Sequence, residues 1–242
     1  MTKRLFILLV TIFLIHSCST DDNDNPSIQA DTKWWVLVHP IQGNEGIYLF
    51  NETTSEIERK IHLPVDYSQP EAIDYDGNSI WIAGSHSTAS ILEINPESGE
   101  IIDEIEGIQA RSLVVLDDYF YISNFNSIDR LDRQGNFEEE IIDTESNVIH
   151  DLAYKDQTLY YVLNLNNDPI IKVNLLDNSQ ETVIEFGTME ISTNLAILDN
   201  DLIMVNQFDQ IRRINIESGQ IVSETDLPIP LEGSITSITP FN

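Results

Sequence analysis

Basic residues are scarce in this chain: 12 lysines and arginines stand against 41 aspartates and glutamates, a formal net charge of -29. A surface of that sign repels polyanions, which excludes nucleic acid as a partner and makes anionic lipid head groups poor ones. The acidic residues are spread through every predicted turn and form no single block, the pattern of a solubilising surface. Cysteine occurs once, at Cys18, so no disulfide can form within the chain. Long apolar runs are missing as well. The run from Leu5 to Ile15 falls short of the roughly 20 apolar residues that span a bilayer. No G-x-S-x-G elbow, H-E-x-x-H pair, phosphate-binding glycine loop or EF-hand spacing occurs, and no His-rich spacing suggests a metal. No catalytic residue, cofactor or metal is assigned from motifs. Helical periodicity is absent after residue 18, which points to an all-β chain.

At the N-terminus, Lys3 and Arg4 precede the apolar run Leu5 to Ile15, the order of charges and length of a secretory signal. The run ends Leu14-Ile15-His16-Ser17-Cys18, with an aliphatic residue three before the cysteine and a small one just before it. This resembles a bacterial lipobox. The resemblance implies cleavage before Cys18 and a mature N-terminus carrying diacylglycerol on the thiol and an acyl group, palmitate for example, on the amine. Several acyl chains, at about 0.8 kcal/mol per buried methylene, hold a protein stably to a membrane where one would not. Ser19-Thr20-Asp21-Asp22-Asn23-Asp24-Asn25-Pro26 follows as a polar tether. Acidic residues at this place resemble the export signal of Bacteroidota surface lipoproteins, which implies the outer face of the outer membrane. The expected division is a signal peptide over 1–17, an acidic tether over 18–31 and one domain over 32–242.

That domain repeats. Ile73 to Gly84 lines up with Leu113 to Asn124, Leu152 to Leu163 and Leu195 to Asn206, each a short apolar strand, a polar turn and a second apolar strand. The turns Asp76-Gly77-Asn78, Asp117-Asp118, Lys155-Asp156-Gln157 and Asp199-Asn200-Asp201 have the composition of tight hairpins. A second hairpin follows in each unit, as in Ile91 to Ile102 and Ile211 to Val222, with weaker copies at Ile128 to Phe137, Ile170 to Val183 and Ile47 to Ile57. Its turn opens on Asn51, Asn95, Asp132, Asn174 or Asn215, whose side chains can bond their own backbone. Four strands at a period of about 40 residues mark a propeller blade. Four units are complete, and the first, Trp34 to Leu63, lacks its innermost strand. The segment Ser234 to Phe241 supplies it, which predicts a five-bladed β-propeller closed by pairing the N- and C-terminal strands in one blade. Trp34, Trp35 and Trp81 fall on strands, where packing between blades is expected, one of the adjacent pair being free to face solvent.

The segments Phe120-Tyr121-Ile122-Ser123-Asn124, Leu159 to Asn164 and Ile203 to Asn206 resemble the repeat of YVTN/NHL-like propellers, over nearly all of the chain after Thr32. The resemblance implies architecture and leaves activity open, since one fold hosts many functions.

Residues just before each innermost strand should ring the mouth of the central channel. Repeat alignment places Glu71, Arg111, His150, Thr193 and Gly233 there, with Asp151 and Asn194 one step on. They differ from blade to blade and include charged types, which makes Glu71, Arg111, His150, Asp151, Thr193 and Asn194 the candidate binding residues. His39, His86, Asn124, Asn164 and Asn206, in loops opening on the same face, are secondary candidates. The expected function is a monomeric, lipid-anchored binding module, its partner a small molecule, a glycan or a membrane protein. The alternative is a propeller enzyme of the glutamine cyclotransferase or lactonase-like kind, with Glu71 as acid or base. Glu71, Asp151 and Asn194 offer oxygen ligands for a lactonase-like cation, but Arg111 in the same ring opposes one.

Overall fold

The computed structural model describes residues 31–40, 46–64, 70–85, 90–163, 169–184, 194–205, 210–227 and 233–241. Among them every regular element is a strand. In chain order, β1 (Lys33–Pro40), β2 (Gly46–Asn51) and β3 (Glu56–His62) form three strands of the first blade. The second blade is β4 (Pro70–Tyr75), β5 (Ile80–Gly84), β6 (Ser90–Ile94) and β7 (Ile101–Glu106), and the third is β8 (Ser112–Val115), β9 (Tyr119–Asn124), β10 (Ser127–Asp132) and β11 (Phe137–Asp143). Next come β12 (Ile149–Lys155), β13 (Thr158–Leu163), β14 (Ile170–Asn174) and β15 (Gln180–Ile184), then β16 (Ala196–Leu198), β17 (Asp201–Val205), β18 (Gln210–Asn215) and β19 (Ile221–Asp226). The last strand, β20 (Gly233–Pro240), pairs antiparallel with β1, from Trp34 opposite Pro240 to Pro40 opposite Gly233. Five antiparallel sheets of four strands result, and the first holds both ends of the domain.

The turns follow from local chemistry. Asn51, Asn95, Asp132, Asn174 and Asn215 each accept, through Oδ1, the backbone N–H of a residue two or three positions on. Between β12 and β13, Asp156 and Gln157 both have positive φ, 48° and 62°, as a two-residue hairpin of the primed type requires.

Alternation along each strand turns one face to each neighbouring blade, so the core is five separate seams. Trp34 and Trp35 show this directly. Both are fully buried, Trp34 packing with Ile203 and Ile211 of the fifth blade and Trp35 with Ile73 and Ile82 of the second. Neither offers the exposed stacking face that adjacency on a strand allowed. The seam between the fifth and first blades carries a charged tie as well: Glu52 accepts from Arg213 Nη2 at 2.6 Å, from Trp34 Nε1 at 2.9 Å and from Thr225 at 3.1 Å.

Part of the acidity has a structural place beyond the turns. The outermost strands, such as β7 with Asp103, Glu104 and Glu106 and β11 with Glu138, Glu139 and Glu140, expose those carboxylates along otherwise open sheet edges. Charge there opposes edge-to-edge pairing between molecules.

Candidate functional site

The innermost strands β20, β4, β8, β12 and β16 neighbour one another in that cyclic order and enclose a channel. They share one direction, so the channel has an entry mouth where they begin and an exit mouth where they end.

At the entry mouth the strands start irregularly. Glu71 is skipped in the pairing of β4 with β5, where Pro70 faces Gly84 and Ala72 faces Ala83. The register also shifts between Ile149 and Leu152, around His150 and Asp151. The Arg111 N–H donates to Ser123 O at 2.9 Å although Ser123 is already the partner of Ser112. In β20 the extra residue is Thr236, between Ile235 opposite Val38 and Ser237 opposite Leu37. Bulges re-aim side chains, and here they coincide with Glu71, Arg111 and the His150–Asp151 step, positions that repeat alignment selected. Gly233 is the exception. The bulge in β20 makes Thr236 the equivalent of Glu71 and moves Gly233 to the start of the strand.

Two of these residues meet. Arg111 Nε donates to Glu71 Oε2 at 2.9 Å, and the Ser85 hydroxyl donates to Glu71 Oε1. Each of the paired side chains keeps about a quarter of its surface in solvent, 28% for Arg111 and 26% for Glu71. The Arg111 guanidinium lies 5.3 Å from the centre of the Phe125 ring. Phe125 is 47% exposed, has φ of 59°, and accepts the Ile149 N–H through its carbonyl at 2.6 Å. Sequence reasoning passed over Phe125, although a lone aromatic between Asn124 and Asn126 in a two-residue hairpin was a visible signal.

The other candidates separate. His150 is half-buried on β12. Asp151 belongs to the channel wall and not to the rim. It is fully buried, accepts the N–H groups of Leu152 at 2.8 Å and Leu195 at 2.7 Å, and also bonds the Ser237 hydroxyl. Burial pushes its carboxyl well above the usual range, against those hydrogen bonds. Asn194 is likewise structural: buried, its Oδ1 accepts the Val205 N–H at 2.6 Å. His39, on β1, and Asn124, ending β9, are exposed and face the same end. Cys18, His86, Asn164, Thr193 and Asn206 lie outside the described residues.

Asp74 was not a candidate, yet it is the second carboxylate of the channel. It accepts from Tyr75 N at 2.8 Å, Val115 N at 2.7 Å and the Thr239 hydroxyl at 2.9 Å. Burial, opposed by those bonds, pushes its carboxyl up to about 6. A cavity of about 170 Å³ lies toward the exit mouth, with Asp74, Val115, Ala153, Ala196 and Thr239 in its wall, one from each innermost strand. Pockets that enclose a drug-sized ligand begin at roughly 300 Å³, so this end suits water or very small solutes. Among the described residues no group of three or more His, Cys, Asp or Glu side chains is arranged to hold a metal ion.

Neither a family model nor a curated protein matches the sequence. Solved structures do. A chain from a nidogen/laminin complex is similar at 12% identity with a TM-score of 0.58, over 82% of this chain and 77% of that one. A protein of unknown function from Bacteroides caccae is similar at 16% identity with a TM-score of 0.55, over 87% of this chain and 99% of that one. At such identities the likeness is one of fold alone, and with the strand order it identifies the domain as a five-bladed β-propeller.

Proposed function

We propose that this is an exported lipoprotein of the cell exterior, anchored in the outer membrane through Cys18, and that the entry mouth of its propeller is a binding face. One observation carries the binding reading: an Arg111–Glu71 pair at 2.9 Å, aimed by strand bulges and bordered by a half-exposed aromatic residue with positive φ. A backbone shape that a bulky side chain rarely adopts, kept at a solvent-facing position, is the kind of strain that binding sites retain. Location is supported by the signal-like run, the lipobox-like residues before Cys18 and the acidic tether.

An acid/base role for Glu71 receives less support. Both of its oxygens already accept hydrogen bonds, from Ser85 and Arg111, which suits a carboxylate that orients a partner better than one that shuttles a proton.

Two experiments test the proposal. Incorporation of labelled palmitate should be lost in Cys18→Ala, and added protease should degrade the protein on intact cells. A thermal-shift screen of small molecules, sugars and peptides should find a ligand whose stabilisation disappears in Arg111→Ala. A ligand at about 100 times its Kd adds about 2.7 kcal/mol, well within reach of such a scan.

A further inference from the structure

We infer that the entry mouth takes a neutral pyranose, a terminal or internal sugar unit without carboxylate, sulfate or phosphate; this rests on the reading of that mouth as a binding face. The argument begins with charge. Arg111 and Glu71 offset one another at 2.9 Å, so the pair presents almost no net charge to a ligand. Around it stands a chain of net charge -29. An acidic sugar would be repelled by the whole surface with only a half-neutralised arginine to hold it, while a neutral sugar feels neither effect.

Hydrogen-bonding capacity points the same way. A carboxylate has about four acceptor sites and a guanidinium five donors. Ser85 and Arg111 occupy one site on each Glu71 oxygen, and Glu71 takes the Nε donor of Arg111. Among the described residues the terminal nitrogens of Arg111 have no hydrogen-bond partner. Acceptors and donors therefore stand side by side, and a hydroxyl, which both donates and accepts, can use both at once. Neighbouring hydroxyls on a six-membered ring repeat that pattern.

Phe125 supplies the remaining element. Its side chain belongs to none of the five buried clusters, so it is not part of the seam packing. Its backbone is nevertheless fixed at the border of the third and fourth blades through Ile149. A held, half-exposed aromatic ring beside a neutral ion pair gives the C–H face of a pyranose an apolar surface while its hydroxyls meet Glu71 and Arg111.

The test uses the full lipidated chain purified in detergent, on an array of neutral, uronate-containing, sialylated and sulfated oligosaccharides, followed by titration calorimetry. Phe125→Asn is the informative variant, since asparagine tolerates positive φ and the fold is kept while the ring is lost. Binding to one or more neutral oligosaccharides is expected, about tenfold weaker in Phe125→Asn and in Arg111→Ala. Preference for acidic glycans, with loss in the same variants, overturns the sugar class and leaves the binding face standing. No glycan binding, or neutral binding indifferent to both substitutions, overturns this inference. The binding face falls with it only if no compound in the separate thermal-shift screen depends on Arg111.

Discussion

The Thr239 hydroxyl donates to Asp74 Oδ1 at 2.9 Å across 165 residues of sequence, and this contact ties the last strand to the second blade. Asp74 Oδ2 meanwhile holds Val115 N of the third blade. Asp151 repeats the device, linking the fourth blade to Leu195 of the fifth and to Ser237 of β20. Two carboxylates thus join all five blades, and both hold the strand that closes the ring. In a chain with one cysteine this is the counterpart of a crosslink, made from hydrogen bonds that burial strengthens.

Asp74→Ala leaves the Val115 N–H and the Thr239 hydroxyl without their acceptor, and is expected to cost on the order of 3 kcal/mol. Thr239→Val should cost about 1 kcal/mol. Urea denaturation at constant pH measures both. Equal, small losses would show that Asp74 is no ring tie.

Stability should fall as pH rises from about 4 to about 6. The folded pKa of Asp74, about 6, lies above its ordinary 3.8 because burial disfavours the charged form. Its stabilisation is therefore complete below 3.8 and is lost as pH rises through about 6. The charge of Asp76 raises the Asp74 pKa further, and Asp151, itself raised by burial first and by Asp74 as well, loses stability in the same sense. The amplitude from Asp74 is on the order of 3 kcal/mol. Protonation also relieves the self-repulsion of the acidic surface, so the decisive quantity is the difference between wild type and Asp74→Asn. Parallel curves for the two proteins from pH 4 to 8 would rule Asp74 out as the source.

Among the described residues Trp35 Nε1, a buried donor, has no hydrogen-bond partner, and its ring meets Phe241 edge-on at 6.1 Å. Trp35→Phe removes that donor and keeps most of the packing, with an expected loss below about 1.5 kcal/mol. Trp35→Ala opens a cavity between the first and second blades and should cost about 3–5 kcal/mol. Thermal unfolding of the two variants separates them. A large loss in Trp35→Phe would point to a polar partner for the indole.

Phe125→Asn should raise stability by about 1 kcal/mol, because asparagine accepts φ near 59° far better than phenylalanine. In a domain of this size that is a rise of roughly 2–4 °C in Tm. A fall would mean that the ring contributes packing that outweighs the strain.

Local chemistry and repetition were legible in the sequence. The turn-opening residues Asn51, Asn95, Asp132, Asn174 and Asn215 need only their own neighbours to form their turns, and the repeats needed only alignment to be counted into blades. The closing strand was legible too, because a blade missing one strand and a strand missing its blade point to each other. Bulges were not. Whether Gly233 or Thr236 stands at the rim depends on how β20 registers against β1, and pairing register is a property of two strands together.

The shortage of basic residues was legible from sequence alone, since net charge is a sum over residues. Where the charge acts was decided by tertiary structure. Carboxylates on the outermost strands guard sheet edges, Asp74 and Asp151 close the ring, and Glu71 meets Arg111 from 40 residues away. Burial and pairing arise only when distant segments meet, so the carboxylates of aspartate and glutamate acquire three roles that their letters in the sequence do not distinguish.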